Sequence, residues 1–180
     1  MKTRFATPGN ILFAFTLCCL PASAVGGEGP KDAVADDGVV VKEDVVYGRV
    51  HGAALVADIA LPIGDGPFPA IISVHGGRWV GGSKTDQSTI KVAPWAELGF
   101  FAMSIDYRLT GCTPAPACYQ DLLCAVRWLH AHAETYKIDP KRIFLIGQSA
   151  GGHLVSLAAT LGDGPFAKTG GWDDQSSDFR

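Results

Sequence analysis

The sequence predicts an α/β fold, a mostly parallel sheet with helices on both faces. Three observations carry this. First, the runs at 70–74, 100–105 and 142–146 are short and almost continuously apolar. Strands of that kind are buried on both faces, as in a parallel sheet. Second, helical patterns separate them, over 85–98 and 117–136; in the second, Leu122, Ala125, Val126 and Leu129 recur at i, i+3, i+4 and i+7. Third, Leu154, Leu157, Ala158 and Leu161 mark one face of a further helix after the last run. Strands alternating with helices imply right-handed crossovers.

Residues 1–24 have the layout of a secretory signal peptide. Lys2 and Arg4 form a basic start, 11–20 is apolar apart from Thr16, and Ala22-Ser23-Ala24 gives an A-x-A cleavage site. The apolar run is shorter than the roughly 20 residues a membrane anchor needs. The alternative, a buried N-terminal helix, is opposed by Pro8 and Pro21 on either side. Phe15-Thr16-Leu17 before Cys18 lacks the small residues of a lipoprotein cleavage site. The expected location is therefore secreted or periplasmic. Residues 25–42, rich in Gly, Asp and Lys, read as a flexible leader, and 43–180 as the folded domain.

Within that domain 43–50 and 53–61 are expected strands, joined at His51-Gly52. Residues 62–69 contain Gly-Asp-Gly-Pro and must turn. Pro114 and Pro116 suit the entry of the 117–136 helix, and Asp139-Pro140 its close.

Of the 180 residues 47% are apolar and 18% charged, with a formal net charge of −3. That is a globular composition. Charge is mixed and no basic run occurs, so nucleic acid is not an expected partner. Three cysteines follow the cleavage site, Cys112, Cys118 and Cys124. An odd number is no disulfide framework. Free, partly buried thiols are expected, with a Cys112–Cys118 bridge as the alternative in an oxidising compartment. No spacing suits a zinc site, and no phosphate-loop or dinucleotide fingerprint fits, so neither a metal nor a cofactor is implied.

The chemistry concentrates at Gly147-Gln148-Ser149-Ala150-Gly151, a G-x-S-x-G between an expected strand and an expected helix. That context is what a nucleophile elbow requires, and it marks Ser149 as the candidate catalytic nucleophile. The helix start behind it offers unpaired N–H groups and a positive dipole end. A second motif, His75-Gly76-Gly77, follows the 70–74 strand. Its glycines let backbone N–H groups turn toward a developing oxyanion, so Gly76 and Gly77, with the N–H of Ala150, are the candidate oxyanion hole. His75 is expected to brace this loop.

Together these residues resemble the alpha/beta-hydrolase fold, and more narrowly secreted esterases of the hormone-sensitive-lipase and feruloyl/acetyl-xylan esterase type. The matching stretches are VHGGRWVGGSK at 74–84, SIDYRLT at 104–110, QDLLCAVRWLHAHAETYKIDPKRI at 120–143 and IGQSAGGHL at 146–154. Arg78 departs from the pattern, standing where many relatives carry a third glycine. The resemblance implies attack by Ser149 on a small-molecule or carbohydrate ester, short acyl or feruloyl, and a covalent acyl-enzyme. It also places the triad acid and histidine after the nucleophile, in that order.

After Ser149 the sequence has one histidine, His153, and Asp163, Asp173, Asp174 and Asp178 in a polar stretch from 162 to 180. His153, on the nucleophile helix, is expected to point into the fold. His130 and His132 are expected in surface or packing roles. Asp106, at a strand end, precedes the serine and is an unfavoured acid. Arg108 is expected to pair with Asp121. The expectation is an alpha/beta-hydrolase truncated after the nucleophile helix, the N-terminal part of a longer enzyme, without its own acid and base and inactive alone. The alternatives are a non-catalytic binding protein of the same fold, or a lipase or peptidase of the superfamily.

Overall fold

The computed structural model describes residues 32–34 and 38–180, the first three as backbone. The signal-peptide segment lies outside these residues. The described chain forms six strands, β1 (Asp32–Val34), β2 (Val40–Val50), β3 (Ala53–Leu61), β4 (Phe68–Val74), β5 (Phe101–Ile105) and β6 (Ile138–Gly147). Three helices accompany them, α1 (Val92–Glu97), α2 (Ala117–Ala131) and α3 (Ala150–Leu161). The sheet order is β1-β2-β3-β5-β4-β6. β4 pairs in parallel with β5 on one side and β6 on the other, while β1, β2 and β3 join antiparallel. Both crossovers into the parallel part carry a helix, as the apolar runs require.

Strand alternation sorts the two faces. Ile59, Ile72, Val74, Phe101, Met103 and Ile105 face the main core, filled by Leu122, Val126 and Leu129 of α2 and Leu154 of α3. Ala60 and Ala96, with Val39, form a smaller core under α1 on the opposite face. Helices thus cover both faces of the central strands.

Several boundaries differ from expectation. Within the span read as a leader, 32–34 and 40–42 are strand, paired Asp32↔Lys42 and Val34↔Val40. The β-branched Val39-Val40-Val41 favours a strand, a signal diluted by the Gly and Asp around it. Only Val92–Glu97 of 85–98 is helical. Ser83 N–H donates to Asp86 Oδ2 at 3.0 Å and Thr89 Oγ1 to Asp86 O at 2.7 Å. Such local side-chain bonds compete with a helix. α2 stops at Ala131, five residues short, and turns follow to Lys137, whose φ is +54°. Asp139-Pro140 lies inside β6 rather than ahead of it. The register slips there, from Phe68↔Ile138 to Ala70↔Ile143, and an irregular outer strand tolerates a proline.

Residues 162–180, which look like a polar tail, are strapped across α2. Arg127, 1% exposed, donates from its guanidinium to Thr169 O (2.8 Å) and Gly171 O (3.3 Å). Gln120 donates to Ala167 O at 2.8 Å, and His130 Nε2 meets Asp178 O at 2.9 Å.

Candidate active site

Ser149 sits at the turn from β6 into α3, at φ +53° and ψ −118°. Only glycine enters that region freely. The side chain is exposed, so the turn presents it at the C-terminal end of the parallel strands. Two flanking glycines make the turn possible. A Cβ on Gly147 would lie 2.4 Å from the carbonyl carbon of Gly151, and one on Gly151 would lie 2.1 Å from Val74 O. α3 therefore starts pressed against the end of β4.

The 75–82 loop approaches from β4. A Cβ on Gly76 would stand 3.4 Å from Ser149 Cβ, so the loop backbone lies directly against the elbow. Gly77 has φ +111°, and its own Cβ would collide with Gly81 O at 2.0 Å. The loop closes with Val80 N–H and Gly81 N–H both donating to Gly77 O at 3.1 Å.

His75 organises this backbone. Its ring is 1% exposed and Nδ1 lies 2.6 Å from Gly76 O. A carbonyl only accepts, so Nδ1 carries the proton. Tyr107 stacks on the ring and its hydroxyl donates to His75 O at 3.0 Å. Burial pushes the Tyr107 phenol up to about 12, so it stays protonated and keeps donating. In a trans peptide the C=O and the following N–H point oppositely. With Gly76 O turned to the His75 ring, the Gly77 N–H faces away from it. With His75 O turned to Tyr107, the Gly76 N–H faces the other way, and there it donates to Ser88 Oγ at 3.2 Å.

That last bond bears on the expected donor set. Gly76 is at the site, but its N–H is already committed to Ser88. No hydrogen bond among the described residues uses the Gly77 N–H or the Ala150 N–H; beside them Gly151 N–H donates to Gln148 O (2.9 Å) and His153 N–H to Ser149 O (3.0 Å).

The remaining candidates separate clearly. Arg108 grips Asp121, which is fully buried, with Nη2 at 2.7 Å from Oδ1 and its own backbone N–H at 2.8 Å from Oδ2. The pairing raises the Arg108 guanidinium above its ordinary range. Asp106 accepts the Lys84 N–H at 2.6 Å, and Lys84 Nζ reaches Asp58 at 2.7 Å and Asp44 at 3.1 Å. Burial pulls the Lys84 ammonium down, but the two carboxylates outweigh it and its pKa is raised. Asp106 is thus a loop anchor. His132 stacks on Trp128 and bonds its carbonyl. His153 does not point into the fold. It is exposed and meets the Trp79 ring edge-on at 5.2 Å, because α3 buries the stripe Ala150, Gly151, Leu154 and Ala158 instead. Cys112 is an exposed free thiol; Cys118 and Cys124 are buried free thiols. Among the described residues no group of three or more His, Cys, Asp or Glu could hold a metal ion, and no helix is long and apolar enough to cross a membrane.

Ser88, Lys84, Trp79 and Tyr107 were not readable as site residues. Ser88 lies in a polar stretch that reads as the start of a helix, and Lys84 closes the quoted VHGGRWVGGSK without any sign that it pairs with Asp58 and Asp44. Tyr107 sits in the quoted SIDYRLT, but nothing in that string shows that its ring supports His75.

Residues 57–177, well over half of the chain, match the BD-FAE family. The chain belongs to the BD-FAE family. Among curated proteins this BD-FAE chain is similar to "Probable carboxylic ester hydrolase LipM" of Mycobacterium tuberculosis, at 37% identity over 125 residues, 68% of this chain and 29% of that protein. It is also similar to carboxylic ester hydrolase LipN of the same organism, at 29% identity over 69% of this chain and 40% of LipN. Among solved structures, the butyrate-bound esterase of the planctomycete Thermogutta terrifontis superposes with a TM-score of 0.67 at 30% identity, covering 76% of this chain and 50% of that one. The same organism's esterase 2 phosphorylated by paraoxon gives 0.62 at 30% identity, with 76% and 54% covered. The BD-FAE chain has the alpha/beta-hydrolase fold and spans well under half the length of these curated relatives, and about half that of the solved ones.

Proposed function

We propose that this chain carries the nucleophile side of a carboxylic-ester hydrolase, with Ser149 forming the acyl-enzyme and the N–H groups of Gly77 and Ala150 receiving the oxyanion. The observation that carries this reading is the backbone of Ser149, an exposed serine held at φ +53° between β6 and α3 with the glycine loop against it. Backbone strain of this kind clusters at functional sites, where the surrounding structure holds it in place. The esterase names of the relatives support the reading. Each oxyanion donor is worth on the order of 3 kcal/mol of barrier. The proposed substrates are short acyl or feruloyl esters, including those carried on plant polysaccharide.

The proposed reaction needs a base to take the Ser149 proton. Among the described residues no histidine hydrogen-bonds Ser149. His75 is committed to Gly76 O, His130 and His132 to carbonyls, and His153 lies against Trp79. We therefore propose that the 180 residues alone turn over esters negligibly. A fluorophosphonate, followed by mass spectrometry against a Ser149→Ala control, tests both points. Slow modification confined to Ser149, rising with hydroxide across the pH range, is expected. Modification spread evenly over serines would sink the nucleophile assignment, and fast modification with a plateau near neutral pH would show that a base is present. We also propose that residues 1–24 direct export, which N-terminal sequencing of the protein from the culture medium or periplasm would test.

A further inference from the structure

The strap returns to the sheet on the side away from β6. Arg49 N–H donates to Gly170 O at 2.9 Å, and the Trp172 indole Nε1–H donates to Tyr47 O at 2.9 Å. The Trp172 ring also meets His132 edge-on at 4.9 Å, and His132 is itself stacked on Trp128. The ring is thus held on two sides, yet 37% of the residue is exposed. Its φ is +61°, a conformation uncommon for a bulky residue. It borders an open depression of about 450 Å³ shared with Val46, Gly48, Arg49, Gly170 and Gly171. Gly48 and Gly170 cannot carry side chains, because a Cβ would lie 2.7 Å and 2.4 Å from Cys124 Sγ. The Arg49 side chain is exposed and has no hydrogen bond or ion pair among the described residues.

We propose that this depression is a carbohydrate-binding subsite. The C–H face of a sugar ring would lie on the Trp172 indole, and its hydroxyl oxygens would accept hydrogen bonds from the Arg49 guanidinium. A sugar offers an apolar face and a polar rim, and the depression offers a flat apolar ring beside a five-donor fork. The indole is fixed before any ligand arrives, so little ordering cost opposes binding. The volume falls in the range of small-molecule sites. A protein partner fits less well. The exposed large apolar residues here are Val46 and Trp172, far short of the ~800 Å² per partner that a stable interface buries. An aromatic acid would want a slot covering both of its faces, whereas an open platform suits a polymer that continues past it.

The depression's position adds to this. Val45, Ala57, Ile105, Val74 and Gly147 form one row across the sheet. Val46 and Arg49 lie past that row in the strand direction that leads from β6 to Ser149, while Trp172 itself rests on His132 at the C-terminal end of α2. Four strand spacings separate β2 from β6, roughly 19 Å at ~4.8 Å each. A polymer could span both places, and a small ester could not. The assignment adds a binding place for the polysaccharide that carries the proposed ester, and it rests on the esterase reading for its purpose. Binding itself does not need Ser149.

The test titrates xylohexaose and cellohexaose into the full chain, followed by indole fluorescence and by calorimetry. Saturable binding of at least one is expected, weakened about tenfold or more, some 1.4 kcal/mol, in Trp172→Ala. Because Trp172→Ala removes an anchor of the strap, Arg49→Ala on the exposed rim is the second variant, with a several-fold loss expected. Ser149→Ala should bind as the wild type does. No saturable binding of either sugar overturns the proposal, as does binding that both variants leave unchanged. Self-association lost in Trp172→Ala without sugar binding overturns it in favour of a second copy of the chain. Sugar binding without Ser149 modification leaves the subsite standing and sinks the esterase reading; modification without sugar binding does the reverse.

Discussion

Tyr107 lies flat on His75, ring centroids 4.1 Å apart and 11° from parallel, and hydrogen-bonds the carbonyl of the same residue. The two contacts fix different things. The stack holds the imidazole, which orients the Gly76 carbonyl, and the hydroxyl holds the His75 carbonyl. Tyr107→Phe keeps the stack and loses the hydroxyl, so a cost of about 1 kcal/mol is expected. Tyr107→Ala loses both and leaves a cavity, for about 3–5 kcal/mol. Urea unfolding of the two variants measures both, and equal costs would contradict this division.

The Arg108–Asp121 pair ties the segment after β5 to α2. Asp121 is wholly buried, and its carboxylate accepts both the guanidinium and a backbone N–H. Removing one partner leaves the other uncompensated, so Asp121→Ala should cost about 3–5 kcal/mol. The urea midpoint should fall with an unchanged slope.

Glycine substitutions should divide sharply. Gly151→Ala drives a methyl into Val74 O at the joint between α3 and β4, and loss of a stable fold is expected. Gly111→Ala, with open space around the new methyl and no positive φ, should be neutral or slightly stabilising. Circular dichroism melts of both, side by side, check this.

Burial pushes the Cys124 thiol from an ordinary 9.0 up to about 11. The folded state therefore holds this proton more tightly than the unfolded chain does. The associated stability is complete below pH 9 and is lost as pH rises through 11. Urea midpoints should fall over that interval, and Cys124→Ala should flatten the decline. In the native protein a thiol reagent should modify Cys112 and spare Cys118 and Cys124, which react on unfolding.

The sequence made the sheet's centre legible because β4 and β5 are apolar on both faces, and the elbow legible because G-x-S-x-G stands between the apolar run at 143–146 and a periodic helix; Phe144 and Ile146 of that run lie exposed on β6, an edge strand of the described sheet. It hid features whose partners are backbone groups far along the chain. Nothing near Thr169 announces that a guanidinium 42 residues earlier will take its carbonyl. Motif spacing shows which N–H groups are close, and not which already meet a hydroxyl, as that of Gly76 meets Ser88. The side His153 presents is hidden for a related reason. Four apolar residues of α3 set the buried stripe, and His153 falls beside it.

The conformation of Ser149 sets thermodynamics against purpose. A serine at φ +53° and ψ −118° stores of order 1–3 kcal/mol that glycine would release. Ser149→Gly should consequently melt higher than the wild type while losing the hydroxyl. Selection on folding alone would drift toward glycine at this position, so a serine kept there is a standing debt carried for something other than durability.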